Sequence, residues 1–245
     1  MVHLTVNAQD SSGITVSDKK ILIFGGGMTK PFIRYLAGMT GKVRPKICYL
    51  PTASADNVYN INNWYELCHD LPVEPYVQRA FINSYDQKET FAEVLLGMDA
   101  IVVGGGNTLN MLAIWKAQGI DTVLRQALEK GIILSGGSAG SLCWFVNGTT
   151  DSRPKELSII EGLKFLNYSH CPHYHSEMSR KPLYFENIKT GRLLPGYAVD
   201  DKAALLFVNG EVMKALSLDS ANNSYFVHLK NGEVTEDKLE SEIIE

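Results

Sequence analysis

The chain has 245 residues, of which 45% are hydrophobic, and carries a formal net charge of −4 at pH 7. A chain of this length can bury a complete core, so one globular domain is the first expectation. The small net charge and the scattered Lys and Arg residues argue against nucleic acid or a membrane surface as a partner. No run approaches the roughly 18 apolar residues of a membrane span. We therefore expect a soluble, cytoplasmic protein.

Apolar runs and helix-length segments alternate after a polar N-terminal extension, residues 1–19. Strands are predicted at residues 21–24, 46–50, 73–77, 100–105 and 131–135. Helices are predicted at residues 32–36, 61–69, 88–96, 108–116 and 123–130. Runs such as Ile101-Val-Val are apolar on both faces, which is typical of parallel strands covered by helices. The sequence therefore predicts an α/β fold with a mostly parallel central sheet.

Closely spaced strand candidates follow beyond about Gly191. They lie at residues 196–200, 203–208, 211–216 and 224–229. Asn-Gly pairs at Asn209 and Asn231 separate apolar runs, and this dipeptide is a strong hairpin signal. We expect antiparallel strands at one edge of the sheet, a single domain over residues 20–232 and an acidic tail over residues 233–245.

Ser138 lies in the sequence GIILSGGSAGSLCWF, where a short apolar strand meets a G-x-S-x-G motif and a predicted helix. A serine on such a tight turn is exposed as a nucleophile. Gly136 and Gly140 fit this interpretation because the turn brings backbone segments too close together for a Cβ atom. The motif predicts a nucleophile elbow.

A serine nucleophile needs a base, and histidines are concentrated in the segment His170-Cys-Pro-His-Tyr-His175. We assign the base to His173, whose imidazole would take the proton of Ser138 and return it to the leaving amine. An orienting carboxylate is also needed. Asp200 and Asp201 follow an apolar strand candidate, and either could supply it.

The same histidine segment suits a zinc site in its residue types, because imidazole and thiolate are both zinc ligands. Its spacing argues against this, since four ligands within six residues, interrupted by Pro172, cannot easily surround a tetrahedral ion. We therefore expect no metal and no cofactor. The cysteines are widely spaced and are predicted to be buried free thiols. They are Cys48, Cys68, Cys143 and Cys171.

Two backbone segments could stabilise an oxyanion. One donor would be the amide of Ala139, directly after the nucleophile. The other would come from the glycine turn Gly104-Gly-Gly-Asn-Thr108, whose bare backbone can direct N–H groups at an anion. A second glycine triplet, Gly25 to Gly27, lacks a nucleotide-binding pattern and predicts close packing.

The GGGNT turn, the GGSAGS elbow and the later PHY element resemble the peptidase E family of cytoplasmic serine dipeptidases, which has cyanophycinase as a relative. The resemblance covers roughly Lys20 to Gly210. It implies a three-layer α/β sandwich like that of the class I glutamine amidotransferases. It also implies a triad of Ser138, His173 and Asp201, with Asp201 in the place of the family's glutamate.

The same resemblance assigns binding residues. Gly106 and Ala139 are implied as oxyanion donors, and Gly105 and Asn107 as substrate-binding residues of the same turn. Arg180 would correspond to the arginine with which peptidase E binds a substrate aspartate. The implied partner is a small peptide, and the protein is expected to be a monomer or a homodimer.

The sequence therefore predicts a metal-independent serine peptidase that hydrolyses short peptides, including those with N-terminal aspartate, through an acyl-enzyme on Ser138. Two alternatives stay open. One is a cyanophycinase-like or other acyl hydrolase that uses the same three residues. The other is a non-catalytic protein that retains the elbow as a pocket for a small molecule or peptide.

Overall fold

The computed structural model describes residues 18–245 of the chain. The α-helices are α1 (Lys30–Met39), α2 (Val58–Cys68), α3 (Phe91–Leu95), α4 (Thr108–Gln118), α5 (Ile120–Glu129), α6 (Ala139–Leu142) and α7 (Arg180–Lys189). The first strands are β1 (Lys20–Phe24), β2 (Lys46–Leu50), β3 (Glu74–Val77), β4 (Ala100–Val103), β5 (Ile133–Gly137), β6 (Phe145–Thr150) and β7 (Ser158–Glu161). The remaining strands are β8 (Leu166–Cys171), β9 (Gly196–Val199), β10 (Ala203–Val208), β11 (Glu211–Ser217), β12 (Ser224–Lys230), β13 (Glu233–Lys238) and β14 (Ser241–Ile243). The predicted extension, residues 1–19, lies outside the described residues except for its last two.

The larger sheet has the strand order β14-β11-β10-β1-β5-β4-β2-β3. Strands β1, β5, β4, β2 and β3 pair with one another in parallel, whereas β10 pairs antiparallel with both β1 and β11. The predicted α/β fold with a mostly parallel central sheet is therefore confirmed. Antiparallel strands do lie toward one edge of this sheet, as the hairpin signal at Asn209 indicated.

Both faces of the larger sheet are buried because successive strand residues are apolar. Ile23 and Val103 belong to a core cluster that includes residues of α4 and α5, whereas Leu22 and Val102 belong to a cluster that includes residues of α1 and α2. Helices thus cover the sheet on both sides, as the continuous apolar runs predict. No helix within residues 18–245 combines the length and apolar character needed to cross a membrane.

Helix bounds depart from their predicted positions where capping decides them. Residues 88–96 predict one helix, but α3 begins only at Phe91. Thr90 accepts a hydrogen bond from the Glu93 amide, while the Glu93 side chain accepts one from the Thr90 amide. This reciprocal capping box fixes the start of the helix and leaves residues 88 and 89 outside it.

A second sheet, which the sequence did not predict, has the strand order β13-β12-β9-β8-β6-β7. Strands β9 and β12 were expected at the edge of the central sheet, and they lie here instead. Strands β6 to β8 and helix α7 were not predicted, because their short segments mix polar and apolar residues. Tyr197 of β9 packs edge-on against Phe207 of β10, with ring centroids 5.3 Å apart, and joins the two sheets.

The segment at residues 233–245, for which the sequence predicts an acidic tail, contains β13 and β14. Strand β13 pairs antiparallel with β12, and β14 pairs parallel with β11. Its acidic residues face lysines of the fold: Glu233 binds Lys189 at 3.1 Å and Glu242 binds Lys214 at 2.7 Å. The two sheets therefore include strands from beyond residue 232.

The carboxyl ends of β1, β4 and β5 meet at one edge of the larger sheet. Phe24 is opposite Gly137, and Val103 is opposite Gly136. Each strand then continues directly into one of the glycine-rich segments or into Ser138. This alignment brings the three segments together, as expected for the carboxyl edge of a parallel sheet.

All four cysteines are buried and unpaired, as predicted. Burial raises the pKa of Cys48 and that of Cys68 to about 12. A thiol held in its neutral form is a poor nucleophile. These cysteines act as packing residues.

Gly140→Ala should destabilise the fold, because a Cβ at this position would lie 2.1 Å from the carbonyl oxygen of Val103. We expect the free energy of unfolding in urea to fall by about 2 kcal/mol or more. The matched control is Gly38→Ala in α1, where an added Cβ meets no atom within 4 Å. That variant should gain about 0.5–1 kcal/mol from helix propensity. Equal stability of the two variants would contradict the close packing at the elbow.

Candidate active site

Ser138 stands between β5 and α6 with φ 55° and ψ −118°, a conformation that costs a non-glycine residue energy. Its carbonyl oxygen accepts hydrogen bonds from the amides of Ser141 and Leu142, at 3.1 and 3.0 Å, which hold the turn. A Cβ on Gly136 would approach the carbonyl oxygen of Gly140 to 2.4 Å. The turn has the strained strand-to-helix geometry expected of a nucleophile elbow.

His173 faces the serine from the segment after β8. Its Nε2 lies 2.8 Å from Ser138 Oγ, and its side chain is 21% exposed. The backbone of His173 has φ 54°, and the next residue is anchored by a hydrogen bond from the Tyr174 amide to the Val199 carbonyl. The predicted pairing of nucleophile and base is therefore present in the structure.

Asp201 completes the line of hydrogen bonds. Its Oδ1 lies 2.7 Å from His173 Nδ1 and also accepts a bond from Ser176 Oγ at 3.0 Å. The neighbouring Asp200 points elsewhere, because its carboxylate accepts from the Asn223 amide at 2.8 Å and lies 2.9 Å from His175 Nδ1. Of the two candidate carboxylates, Asp201 is therefore the one beside His173.

The glycine triplet Gly25 to Gly27 packs closely against the backbone of Asp200 and Asp201, as predicted. The Gly26 amide donates to the Asp201 carbonyl at 3.2 Å, and a Cβ on Gly26 would lie 2.7 Å from that oxygen. A Cβ on Gly25 would lie 2.3 Å from the Asp200 carbonyl oxygen. The absence of side chains here allows the turn between β9 and β10 to reach the histidine.

The second glycine turn lies against the nucleophile. A Cβ built on Gly105 would be 3.2 Å from the Ser138 Cβ, and Gly106 has φ 138°. The turn is fixed by a hydrogen bond from the Asn107 amide to the Ala53 carbonyl at 2.8 Å. Within residues 18–245, the amides of Gly106 and Ala139 donate to no acceptor. Two backbone donors thus stay free on either side of Ser138.

Residues 20–215, which contain all of these site residues, match the family model of peptidase family S51. The chain belongs to this family. It is 37% identical to the uncharacterized peptidase YgaJ of Bacillus subtilis strain 168. The aligned region of 224 residues covers 89% of this chain and 96% of the relative. The resemblance to peptidase E is confirmed, and this S51 chain is a peptidase.

Solved structures share the fold. A protein described as a peptidase E from Listeria monocytogenes EGD-e superposes with a TM-score of 0.62 at 17% identity, over 83% of this chain and all of that one. A peptidase from an acI-B1 actinobacterium superposes with a TM-score of 0.68 at 15% identity, over 94% of this chain and 96% of that one. Together they confirm the predicted three-layer sandwich of the amidotransferase-like class.

The side chains of the histidine segment, residues 170–175 of this S51 peptidase, do not meet at one site. His173 faces Ser138, and His175 faces Asp200. His170 and Cys171 are both fully buried, and the Cys171 thiol contacts the Thr149 hydroxyl at 3.2 Å. No group of three or more His, Cys, Asp or Glu residues in the described part of the chain could hold a metal ion.

His170 links the elbow to the second sheet. Its Nδ1 lies 2.9 Å from the Tyr197 carbonyl oxygen, which can only accept, so this nitrogen carries the hydrogen. In the neutral ring Nε2 is then an acceptor, and the Ser141 hydroxyl donates to it at 2.8 Å. Ser141 Oγ also lies 2.8 Å from the Ser138 carbonyl oxygen. The buried ring therefore holds the first turn after the nucleophile.

Asn107 and Arg180 were predicted to bind substrate, but both side chains are engaged by the protein itself. Asn107 accepts from the Asn110 amide at 2.9 Å and donates to the Ser152 carbonyl at 3.0 Å, which makes it a helix cap and a loop anchor. Arg180 is 2% exposed and donates to Glu177 at 2.7 Å. Among the described residues, Arg180 Nη2 makes no hydrogen bond, and the Asp151 carboxylate lies 3.8 Å from it.

Sequence reasoning missed Ser141, Ser176 and Glu177 as supporting residues. The i, i+3 spacing of Glu177 and Arg180 could have indicated an ion pair on a helical turn. Ser141 and Ser176 left no comparable signal, because their partners are distant in sequence and isolated serines are common in turns.

His170→Gln should flatten the pH dependence of stability. Burial lowers the pKa of His170 to about 3, the nearby charges of Arg180 and His173 act in the same direction, and the bond to Tyr197 opposes them. A histidine in the unfolded chain has a pKa of about 6.5. At pH values between the two pKa values, the unfolded state binds more protons than the folded state does. The free energy of unfolding therefore falls as the pH falls. His170 contributes at most about 1.4 kcal/mol per pH unit to this decrease.

Urea denaturation between neutral pH and pH 4 checks this expectation. The His170→Gln variant should have a shallower slope than the parent protein. His69→Gln is the control, because the His69 side chain is 81% exposed. Its loss should leave the slope above about pH 5 as it is, since the partner carboxyl of Asp70, whose pKa the His69 bond lowers, titrates below that range. The buried neutral state of His170 is refuted if its variant keeps the parent slope.

Proposed function

We propose that this S51 peptidase is a serine peptidase that hydrolyses short peptides through an acyl-enzyme on Ser138. The observation that carries the proposal is the unbroken hydrogen-bond line from Ser138 Oγ through His173 to Asp201, with heavy-atom distances of 2.8 and 2.7 Å. A nucleophile, a base and an orienting carboxylate in this sequence are the parts of a catalytic triad.

In the acylation step, His173 Nε2 removes the proton from Ser138 Oγ as that oxygen attacks the substrate carbonyl carbon. Asp201 holds the ring in the tautomer with hydrogen on Nδ1 and stabilises the imidazolium that forms. The unpaired amides of Gly106 and Ala139 donate to the oxyanion. The imidazolium then protonates the leaving amine, the scissile C–N bond breaks, and the acyl group stays on Ser138.

Deacylation repeats these roles with water. His173 removes a proton from the water molecule, whose oxygen attacks the ester carbonyl, and the same two amides stabilise the second oxyanion. The proton then returns to Ser138 Oγ as the carboxylic acid leaves. Three residues and two amides account for both steps.

The borders of the site favour a short substrate. The segment after β6 is tied to the glycine turn by the bond from Asn107 to the Ser152 carbonyl at 3.0 Å, and to α7 by the bond from Arg180 to the Thr149 carbonyl at 3.0 Å. This segment therefore runs alongside the oxyanion amides. We take this segment as a border of the site and expect a short peptide to fit beside it better than an extended chain.

Ser138→Ala should abolish hydrolysis of dipeptides while leaving the fold intact. We expect kcat/KM to fall about 10⁴-fold or more, because both the nucleophile and the acyl-enzyme are lost. Rates with chromogenic or unlabelled dipeptides measure the loss, and circular dichroism checks the fold. A fluorophosphonate probe should label the parent protein and not the variant. Turnover at the parent rate would refute the acyl-enzyme on Ser138.

Asp201→Asn and Asp200→Asn form a matched pair that separates the two adjacent carboxylates. Asp201→Asn should lower kcat by at least about 100-fold, because the amide no longer selects the tautomer that leaves Nε2 free to accept the serine proton. Asp200→Asn should have a much smaller effect on kcat, since Asp200 faces His175 and the Asn223 amide. Equal losses in both variants would show that Asp201 has no special role.

A further inference from the structure

The Asp201 carboxylate is partly open to solvent. Its side chain is 42% exposed, whereas that of His173 is 21% exposed. Both of its side-chain bonds fall on Oδ1, which lies 2.7 Å from His173 Nδ1 and accepts from Ser176 Oγ at 3.0 Å. Oδ2 accepts no hydrogen bond from any of residues 18–245. The orientation of this carboxylate therefore depends on two donors that bind one of its oxygens.

One short turn of the chain carries both donors. The Glu177 amide donates to the His173 carbonyl at 3.1 Å, which closes a single turn over residues 173–177. This turn brings the Ser176 side chain back toward that of His173, and both reach Asp201 Oδ1. The carboxylate itself comes from the connection between β9 and β10. Two side chains of one turn thus bind the same oxygen of a distant segment.

The Ser176 hydroxyl has one hydrogen and two acceptors within reach. Its Oγ lies 3.0 Å from Asp201 Oδ1 and 3.3 Å from the His173 carbonyl oxygen. That carbonyl already accepts a hydrogen bond from the Glu177 amide. A charged acceptor also forms the stronger bond. The hydroxyl hydrogen is therefore directed at the carboxylate.

The turn does not need the Ser176 side chain for its packing. Ser176 is exposed, and the backbone anchors the turn through the bond from the Tyr174 amide to the Val199 carbonyl at 3.3 Å. Ser179 lies three positions later and is also exposed. Its side chain caps no amide of α7 among the residues that the structure describes. The two serines therefore differ mainly in the bond to Asp201.

We infer that Ser176 is a positioning residue, which fixes the Asp201 carboxylate in the orientation that His173 Nδ1 requires. The inference rests on the proposed function and adds a fourth side chain to its line of hydrogen bonds. With the carboxylate fixed, the ring keeps its hydrogen on Nδ1 and leaves Nε2 free to accept the proton of Ser138. Without the Ser176 hydroxyl, the half-exposed carboxylate turns toward solvent in part of the population, and the ring loses its orientation.

Ser176→Ala should lower kcat for dipeptide hydrolysis about 10-fold, because a hydrogen bond to a charged group is lost. KM should stay within about twofold of the parent value, since Ser176 acts through Asp201 and not on the substrate. Ser176→Thr keeps a hydroxyl on Cβ and should restore most of kcat. Ser179→Ala is the matched control and should keep the parent kcat. Kinetics with Asp-Leu, Ala-Leu and Lys-Leu on the full-length protein measure these values.

A double-mutant cycle tests whether Ser176 acts through the carboxylate. In the parent background, Ser176→Ala should slow the labelling of Ser138 by a fluorophosphonate about 10-fold, in line with kcat. In an Asp201→Ala background, the same substitution should change the labelling rate by less than about twofold, because Oδ1 is no longer present. Equal losses in both backgrounds would indicate a general structural effect and overturn the inference.

The other outcomes separate this inference from the proposed function. An unchanged kcat in Ser176→Ala, a failure of Ser176→Thr to restore kcat, or an equal loss in Ser179→Ala overturns the positioning role, while hydrolysis through Ser138 stands. A parent protein that cleaves none of the three dipeptides and is not labelled at Ser138 overturns the proposed function and this inference with it. A loss of kcat that Ser176→Thr restores and Asp201→Ala abolishes supports the inference.

Discussion

The strained backbone of Ser138 is the constraint on which the rest of the site depends. A residue with φ 55° and ψ −118° keeps that conformation only where its surroundings leave no alternative. Here two amides bind the Ser138 carbonyl, and Gly140 lies so close to Val103 that only a residue without a side chain fits. Close contact between strand β4 and the start of α6 therefore determines where the Ser138 side chain points.

The two sheets supply the other parts of the site. His173 follows β8 of the smaller sheet, and Asp201 lies where the chain leaves β9 of the smaller sheet for β10 of the larger one. The buried ring of His170 bonds to Ser141 beside the nucleophile and to the Tyr197 carbonyl on β9. A change in how the sheets pack would therefore move His173 and Asp201 relative to Ser138. The geometry of the candidate site is a property of the interface between the sheets.

Much of this arrangement could be predicted from the sequence, because its signals are local. Continuous apolar runs predict the parallel strands, and the motif around Ser138 predicts the turn. The PHY element and Asp201 could be assigned through the family resemblance. The smaller sheet could not be predicted, since its strands are short and pair across distant parts of the chain. The hydrogen bonds of the Asn107 and Arg180 side chains could not be predicted either. Their partners include Ser152 and Thr149, which only the tertiary fold brings near.

The position of β13 late in the chain affects the order in which contacts can form during synthesis. Tyr174, the neighbour of His173, donates its hydroxyl hydrogen to Glu236, which also binds Lys181 at 2.6 Å. During translation Ser138, His173 and Asp201 leave the ribosome before this glutamate does. The support that β13 gives to the histidine segment is therefore available only once residue 236 has been synthesised.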